Sequence, residues 1–260
     1  MTDYIAIVTG ASSGIGRATS LALAAEGCHI ALAARTVPAL EAGAEEIRRM
    51  GRQALVIPTD VTRPEEVERL VATTQDPWGR VDIAVAAAGI YVRRPVVDLT
   101  VADVERSMAT NFYGVLHLVL AILPVMRQQR RGHLVLISSV DGKKGIPPDT
   151  PYVVAKFAVV GLGEMLRQEL REWGIHICTV CPGRVDTPMI AHIEVPWISA
   201  KIPPQRVARA IVRAIRRRQP EVILPAQAKL LVYLNALFPR IGDWGVRFFH
   251  LEGREISPPR

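Results

Sequence analysis

The feature that most constrains the fold is the turn Thr9-Gly10-Ala11-Ser12-Ser13-Gly14-Ile15-Gly16, set between an apolar run and a helical pattern. The run is Tyr4 to Val8, and Arg17 to Gly27 has helical spacing and closes on glycine. Strand, glycine-rich turn and helix in that order is the context that gives such glycines chemical meaning. Lacking Cβ atoms, they let the backbone approach a pyrophosphate, whose charge the helix N-terminus receives. Gly10, Ser12, Ser13, Gly14, Ile15 and Gly16 are therefore the expected phosphate-cradling residues. The plain alternative is an ordinary tight turn.

The alternation continues along the chain. Strands are expected at Cys28–Ala34, Gln53–Pro58, Asp82–Ala87, His133–Ile137, Ile175–Val180 and Glu221–Leu224. Helices are expected at Val37–Met50, Arg63–Gln75, Val101 to about Gln128, Tyr152 to Trp173 and Pro204–Arg217. This pattern implies an α/β, doubly wound, mostly parallel sheet of seven strands with helices on both faces, forming one domain over residues 1–225. The second strand ends in Ala34-Arg35, where a fold that prefers NAD usually carries an acid for the ribose 2′-hydroxyl. A guanidinium suits a 2′-phosphate in charge and geometry, so Arg35 favours NADP(H) over NAD(H). The alternative is a strand-end arginine in solvent.

The second constellation is Tyr152-Val153-Val154-Ala155-Lys156, with Ser139 thirteen residues before the tyrosine. On a helix, Tyr152 and Lys156 share a face. An ammonium beside a phenol is expected to lower its pKa from about 10, fitting the tyrosine for acid–base work. Asn111 lies inside the longest helical pattern among Phe112, Val115, Leu116 and Leu118, where an asparagine needs a buried purpose.

In Thr9-Gly10-xxx-Gly14-x-Gly16, Asp60, Ala88-Gly89, Asn111, Ser139, Tyr152-xxx-Lys156 and Pro182-Gly183, the chain resembles the single-domain short-chain dehydrogenase/reductase family over about residues 3–225. The resemblance implies a Rossmann-type fold and hydride transfer between a nicotinamide and a ketone, aldehyde or alcohol. It makes Tyr152 the general acid, or base in reverse, and Lys156 the holder of the nicotinamide ribose. Ser139 would orient the substrate oxygen, and Asn111 would anchor a proton-relay water. Asp60 with Val61 would reach the adenine, while Ala88, Gly89, Pro182, Gly183, Val185 and Thr187 would complete the cofactor site. The family's usual Asn-Asn-Ala-Gly reads Ala86-Ala87-Ala88-Gly89, so those asparagine contacts are not carried over. The resemblance further implies a homodimer or homotetramer joined through the Asn111 and Tyr152 helices.

Charge, cysteine content and the apolar stretches narrow the partners. A formal charge of +7 invites nucleic acid, but the basic residues are scattered and no recognition module accompanies them. Cys28, Cys178 and Cys181 make no disulfide framework, and Cys178 and Cys181 would point to opposite faces of a strand, so neither a metal site nor an oxidising compartment is expected. A cytoplasmic protein without a spanning segment is the expectation. Met189 to Pro203 reads as a substrate lid, with Met189, Ile190 and Trp197 joining Tyr91 in an apolar pocket for a hydrophobic carbonyl or alcohol. His192 in the lid reads as a solvated loop residue. Residues 226–260, with an apolar helix over Lys229–Phe238, are expected to seal the pocket or join subunits, with peripheral membrane contact as a third use. A non-catalytic NADP-binding sensor on the same fold is the rival reading.

Overall fold

The computed structural model describes residues 1–256. Its strands in chain order are β1 (Ile5–Thr9), β2 (His29–Ala34), β3 (Ala54–Pro58), β4 (Ile83–Ala86), β5 (Gly132–Ile137), β6 (Ile175–Pro182), β7 (Ile193–Glu194), β8 (Glu221–Leu224) and β9 (Arg254–Glu255). Seven of them form one parallel sheet in the order β3-β2-β1-β4-β5-β6-β8. Runs such as Ile5-Ala6-Ile7-Val8 are apolar at every position because both sheet faces are covered.

The covering helices are α1 (Gly14–Ala25), α2 (Val37–Arg49), α3 (Pro64–Trp78), α4 (Val101–Met108), α5 (Gly114–Gln129), α6 (Thr150–Glu169) and α7 (Pro204–Arg217). Leu23, Leu40, Ile47, Ile211 and Ile215 bring α1, α2 and α7 onto one face. Leu70, Val71, Leu118, Ile122, Met126 and Val159 bring α3, α5 and α6 onto the other. Each such side chain contributes about 1.5–3 kcal/mol on full burial, which makes the two layers the main support of the sheet. The chain crosses from one half of the sheet to the other between β1 and β4. In open α/β sheets that crossing leaves a crevice beyond the strands' carboxyl ends, where ligands bind.

Three local features depart from the sequence expectation. The helix expected over Val101 to about Gln128 is interrupted at Ala109–Tyr113 by a π turn between α4 and α5. Asn111 sits in that turn, and such bulges re-aim side chains at functional sites. This stretch of 101–129 is also long and apolar enough to cross a membrane by composition, yet its α5 part packs on α3 and the sheet. Second, the end of the chain forms two helices, α8 (Ala226–Leu237) and α9 (Pro239–Phe248), because Pro239 cannot continue the first and starts the second. Third, the lid contains β7, which pairs antiparallel with β9, so the tail is stitched to the lid.

Candidate active site

The glycine turn leaves β1 at the centre of the sheet and enters α1. Gly10 has φ of 65°, and a Cβ there would lie 2.8 Å from the backbone of Ala87 and Ala88. A Cβ on Gly16 would lie 2.2 Å from the Gly10 carbonyl oxygen, so the turn closes only with glycine at that position. Ser13 caps α1 without a side-chain hydrogen bond, and the first turn holds no acidic residue. The initial N–H groups are thus free to meet an anion, which is what a pyrophosphate requires. Gly14 packs against Thr187, whose methyl would stand 2.9 Å from a Cβ there. Val185 is buried and bridges to Ile202, and Gly183 N–H donates to Leu224 O at 2.7 Å. The structure therefore brings the Gly10–Gly16 turn and the Pro182–Thr187 segment to one edge.

Arg35 stands exposed just past β2. Asp60 lies near enough to feel its charge, although the Thr62 N–H is the main influence holding the Asp60 carboxyl below the usual range. Val61 is buried under Gly114, and its carbonyl meets His117 Nδ1 at 2.8 Å.

Beyond the crevice, Ser139 follows β5 and Tyr152 and Lys156 project from α6. Lys156 is buried, and its Nζ donates to Ile137 O at 2.9 Å and stands 5.4 Å from the Tyr152 ring centre. Asn111 is fully buried: its Oδ1 accepts from Ile90 N at 3.0 Å, and its Nδ2 donates to Ile90 O at 3.0 Å and to Ser107 Oγ at 3.1 Å. A Cβ on Gly89 would sit 2.8 Å from Asn111 Oδ1 and 3.9 Å from Lys156 Nζ, which places the Ala88-Gly89 backbone beside both groups. Groups from the π turn, the segment after β5 and α6 thus meet at one place.

The direction of the Tyr152 shift is opposite to the sequence expectation. Burial, with the nearby Asp141 carboxyl adding to it, pushes the Tyr152 phenol up rather than down, and only the Ser139 hydroxyl pulls it back. Lys156 itself is lowered to about 8 by burial. The cause is that both members of the pair leave water together, and desolvation opposes both charges.

Two carboxyls that sequence reasoning missed lie in the same wall. Asp141 N–H donates to Ser139 Oγ at 3.0 Å, and its Oδ2 lies 3.1 Å from the same oxygen. Asp149 is buried before α6, where it accepts from Tyr91 OH and from Arg93 Nε at 2.9 Å. The Tyr91 ring in turn meets Tyr152 edge-on at 5.0 Å. The signal available in the sequence was two acids flanking Ser139 and Tyr152 within a loop, which polarity alone does not separate from a solvated turn.

These groups line a cavity of about 420 Å³ that is predominantly apolar. Met189, Ile190, Ile193 and Ile198 of the lid and Tyr91 of the loop after β4 face it, as do Leu231 and Leu234 of α8, Trp244 of α9 and Phe249 just beyond it. Trp197 is a correction: it is 87% exposed and turned away from the cavity, its place taken by Ile198. His192 is exposed as expected, and its carbonyl accepts from Ile256 N–H at 2.8 Å. Arg184 ties the lid to the tail by donating to Ser199 Oγ at 2.6 Å and to Leu251 O. Arg93 donates to Glu252 O at 2.7 Å, so the tail is fastened to the cavity wall at two points. Among the described residues no group of His, Cys, Asp and Glu could hold a metal ion.

Known proteins resemble this chain over most of its length. A family model for short chain dehydrogenases matches residues 4–195. An uncharacterized oxidoreductase of Staphylococcus aureus is 35% identical over 215 residues, covering 83% of this chain and 92% of that protein. The uncharacterized oxidoreductase YxnA of Bacillus subtilis is 32% identical over 253 residues, covering 94% of this chain and 71% of its own length. Among solved structures, an alcohol dehydrogenase of the archaeon Thermococcus sibiricus complexed with 5-hydroxy-NADP superposes with a TM-score of 0.77 at 28% identity, covering 85% of this chain and 95% of its own. A variant of actinorhodin polyketide ketoreductase with NADPH gives 0.80 at 29% identity over 86% of this chain and 97% of its own. With its glycine turn, its parallel sheet and the matched span, the chain belongs to the short-chain dehydrogenase/reductase family of oxidoreductases.

Proposed function

We propose that this oxidoreductase interconverts a hydrophobic ketone or aldehyde and the corresponding alcohol, using NADP(H) in preference to NAD(H). The observation that carries the reading is the convergence of Asn111, Ser139, Tyr152 and Lys156 on one wall of an apolar cavity that opens beside the glycine turn. The residues fit a dinucleotide, since Gly10 and Gly16 let the turn close tightly against Ala87, Ala88 and the Gly10 carbonyl, and the α1 N-terminus beside it lacks any acid. Gly10–Gly16 would hold the pyrophosphate, Asp60 and Val61 the adenine end, Arg35 the 2′-phosphate, and Val185 with Thr187 the carboxamide end.

When bound, the nicotinamide supplies or accepts the hydride. Tyr152 donates a proton to the carbonyl oxygen during reduction and removes it during oxidation. A phenol held protonated by burial suits the donating role. Ser139 hydrogen-bonds the same oxygen, so charge developing there meets a fixed donor. Lys156 holds the ribose side, and Asn111 anchors a water that leads a proton from behind Lys156 towards solvent. The apolar lid and the α8–α9 pair exclude water and select an apolar substrate.

Three further proposals concern the molecule's setting. Leu120 on α5 and Val154, Phe157 and Met165 on α6 are exposed, which supports a homo-oligomer formed through these helices. Leu237, Phe238, Trp244 and Phe248 are exposed beside Arg240 and Arg247, a composition suited to a membrane surface from which apolar substrate enters. The free, buried Cys28, Cys178 and Cys181 fit a reducing compartment such as the cytoplasm.

The test is Tyr152→Phe assayed with NADPH over a panel of hydrophobic ketones. Loss of at least about a hundredfold in turnover with NADPH binding retained is expected for removal of the proton donor. Undiminished turnover would refute the role of Tyr152.

A further inference from the structure

Asp141 has a place in the cavity wall that the proposed chemistry has not used. Its carboxyl reaches Ser139 Oγ at 3.1 Å through Oδ2, while Oδ1 is buried and, among the described residues, has no hydrogen-bond partner. A carboxylate with a sealed, unbonded oxygen is costly, whereas a neutral acid tolerates it far better. The surroundings act in the same direction. Asp149, at the start of α6, opposes a second negative charge. Arg93, from the loop after β4, and Arg184, from the loop after β6, favour that charge more weakly than burial and Asp149 oppose it. From α6, Tyr152 and Lys156 face the same carboxyl, as does Tyr91 from the loop after β4.

Hydrogen counting shows what the two protonation states do to Ser139. The Asp141 N–H already donates to Ser139 Oγ at 3.0 Å. If the carboxyl is protonated, its O–H fills the second lone pair of Ser139, and the serine hydrogen is left over. Without substrate that hydrogen can rest on Pro182 O at 3.4 Å. If the carboxyl is ionised, it can only accept, and it takes the serine hydrogen for itself. We propose that Asp141 is a positioning residue for the carbonyl reduction proposed above, acting as a neutral acid that donates to Ser139 and so frees the Ser139 hydrogen for the substrate oxygen. Ionisation of Asp141 switches that donor off and places a negative charge beside the developing alkoxide.

This inference rests on the carbonyl-reductase reading, and one experiment separates the two. Rates of NADPH-dependent ketone reduction are measured from about pH 5.5 to about pH 9, a span that brackets both titrations, for wild type, Asp141→Asn and Asp141→Ala. Asp141 is raised to about 7 by burial and Asp149, and Lys156 loses its charge near 8. Wild-type turnover should therefore fall through about pH 7. Asp141→Asn keeps a permanent donor to Ser139, so its falling limb should move up to about pH 8, where Lys156 discharges. Asp141→Ala leaves the Ser139 hydrogen free but no longer holds Ser139 Oγ from its second lone pair, so it should be slower than Asp141→Asn at low pH by roughly two- to tenfold, the worth of one net hydrogen bond, and should lack the falling limb at about pH 7.

A second readout needs no turnover. Infrared titration of the wild type should show a protonated-carboxyl band that disappears as pH rises through about 7 and is absent from Asp141→Ala. An Asp141→Asn profile superimposed on wild type, or the lack of an Asp141-dependent carboxyl band at low pH, overturns the inference. Absence of ketone reduction by the wild type at every pH overturns the carbonyl-reductase reading instead, and the infrared band then still reports on Asp141 by itself.

Discussion

At the residue scale, Tyr152 and Lys156 are separated by one helical turn, and their environment decides their protonation more than their spacing does. Spacing predicted an ammonium lowering a phenol, but burial raises Tyr152 and lowers Lys156 to about 8. Asp141 has the sign of a raised acid, with a folded value of about 7 against 3.8 for an ordinary aspartate. Such a group binds its proton more tightly in the folded state, so it weakens stability progressively as pH rises from about 4 to about 7 and by a constant amount above. The melting temperature of Asp141→Asn relative to wild type should therefore climb as pH is raised across that interval. A difference independent of pH would show that the carboxyl is not perturbed. Arg35 makes a separate prediction. Arg35→Ala should weaken NADPH by roughly ten- to a hundredfold, the worth of a charge-assisted hydrogen bond of about 1.5–3 kcal/mol, with little effect on NADH. Equal losses in fluorescence titrations with the two cofactors would refute its 2′-phosphate role.

At the element scale, the parts legible in the sequence were those fixed by periodicity and steric necessity. Continuous apolar runs such as Ile5–Val8 and Ile83–Ala86 announce strands covered on both faces, and the βα alternation orders them. Gly10 and Gly16 were legible because their function is to lack a Cβ, and the contacts at 2.8 and 2.2 Å show why. Gly16→Ala should accordingly disrupt the turn, abolishing NADPH binding and lowering the melting temperature; a variant that bound NADPH normally would contradict the close approach to the Gly10 carbonyl. The π turn at Ala109–Tyr113 was not legible, since its one extra residue per turn leaves the apolar pattern of α5 intact. Asp141 and Asp149 were hidden for a different reason. A loop acid is ordinarily solvated, and only the fold reveals that these two are enclosed by Tyr91, Arg93 and Ser139. Trp197 was misassigned because lid composition gives hydrophobicity without direction, and the turn Trp197–Ser199 points Ile198 inward instead.

At the scale of the whole molecule, the chain is a dinucleotide-binding sheet with a cavity roofed by its own last third. The lid, α8, α9 and the tail are joined by the β7–β9 pair and by Arg93 and Arg184. The roof belongs to the site, and the Arg93–Asp149 bond connects it to the residue that begins the Tyr152 helix. The outer faces of the molecule carry the proposed contacts with other bodies. Phe157→Asp should turn an oligomer into a monomer in size-exclusion chromatography, and an unchanged elution volume would place the subunit contact elsewhere. All of this depends on one claim, that Tyr152 delivers a proton while a hydride reaches a carbonyl carbon in the cavity. The most direct test is to supply NADPH deuterated at nicotinamide C4 on the transferred face with a hydrophobic ketone, and to locate the label in the product by mass spectrometry. A single deuterium at the carbinol carbon is expected from the wild type, and no alcohol from Tyr152→Phe that still binds NADPH. Alcohol formed without label at that carbon, or labelled alcohol formed at the wild-type rate by Tyr152→Phe, would contradict that claim.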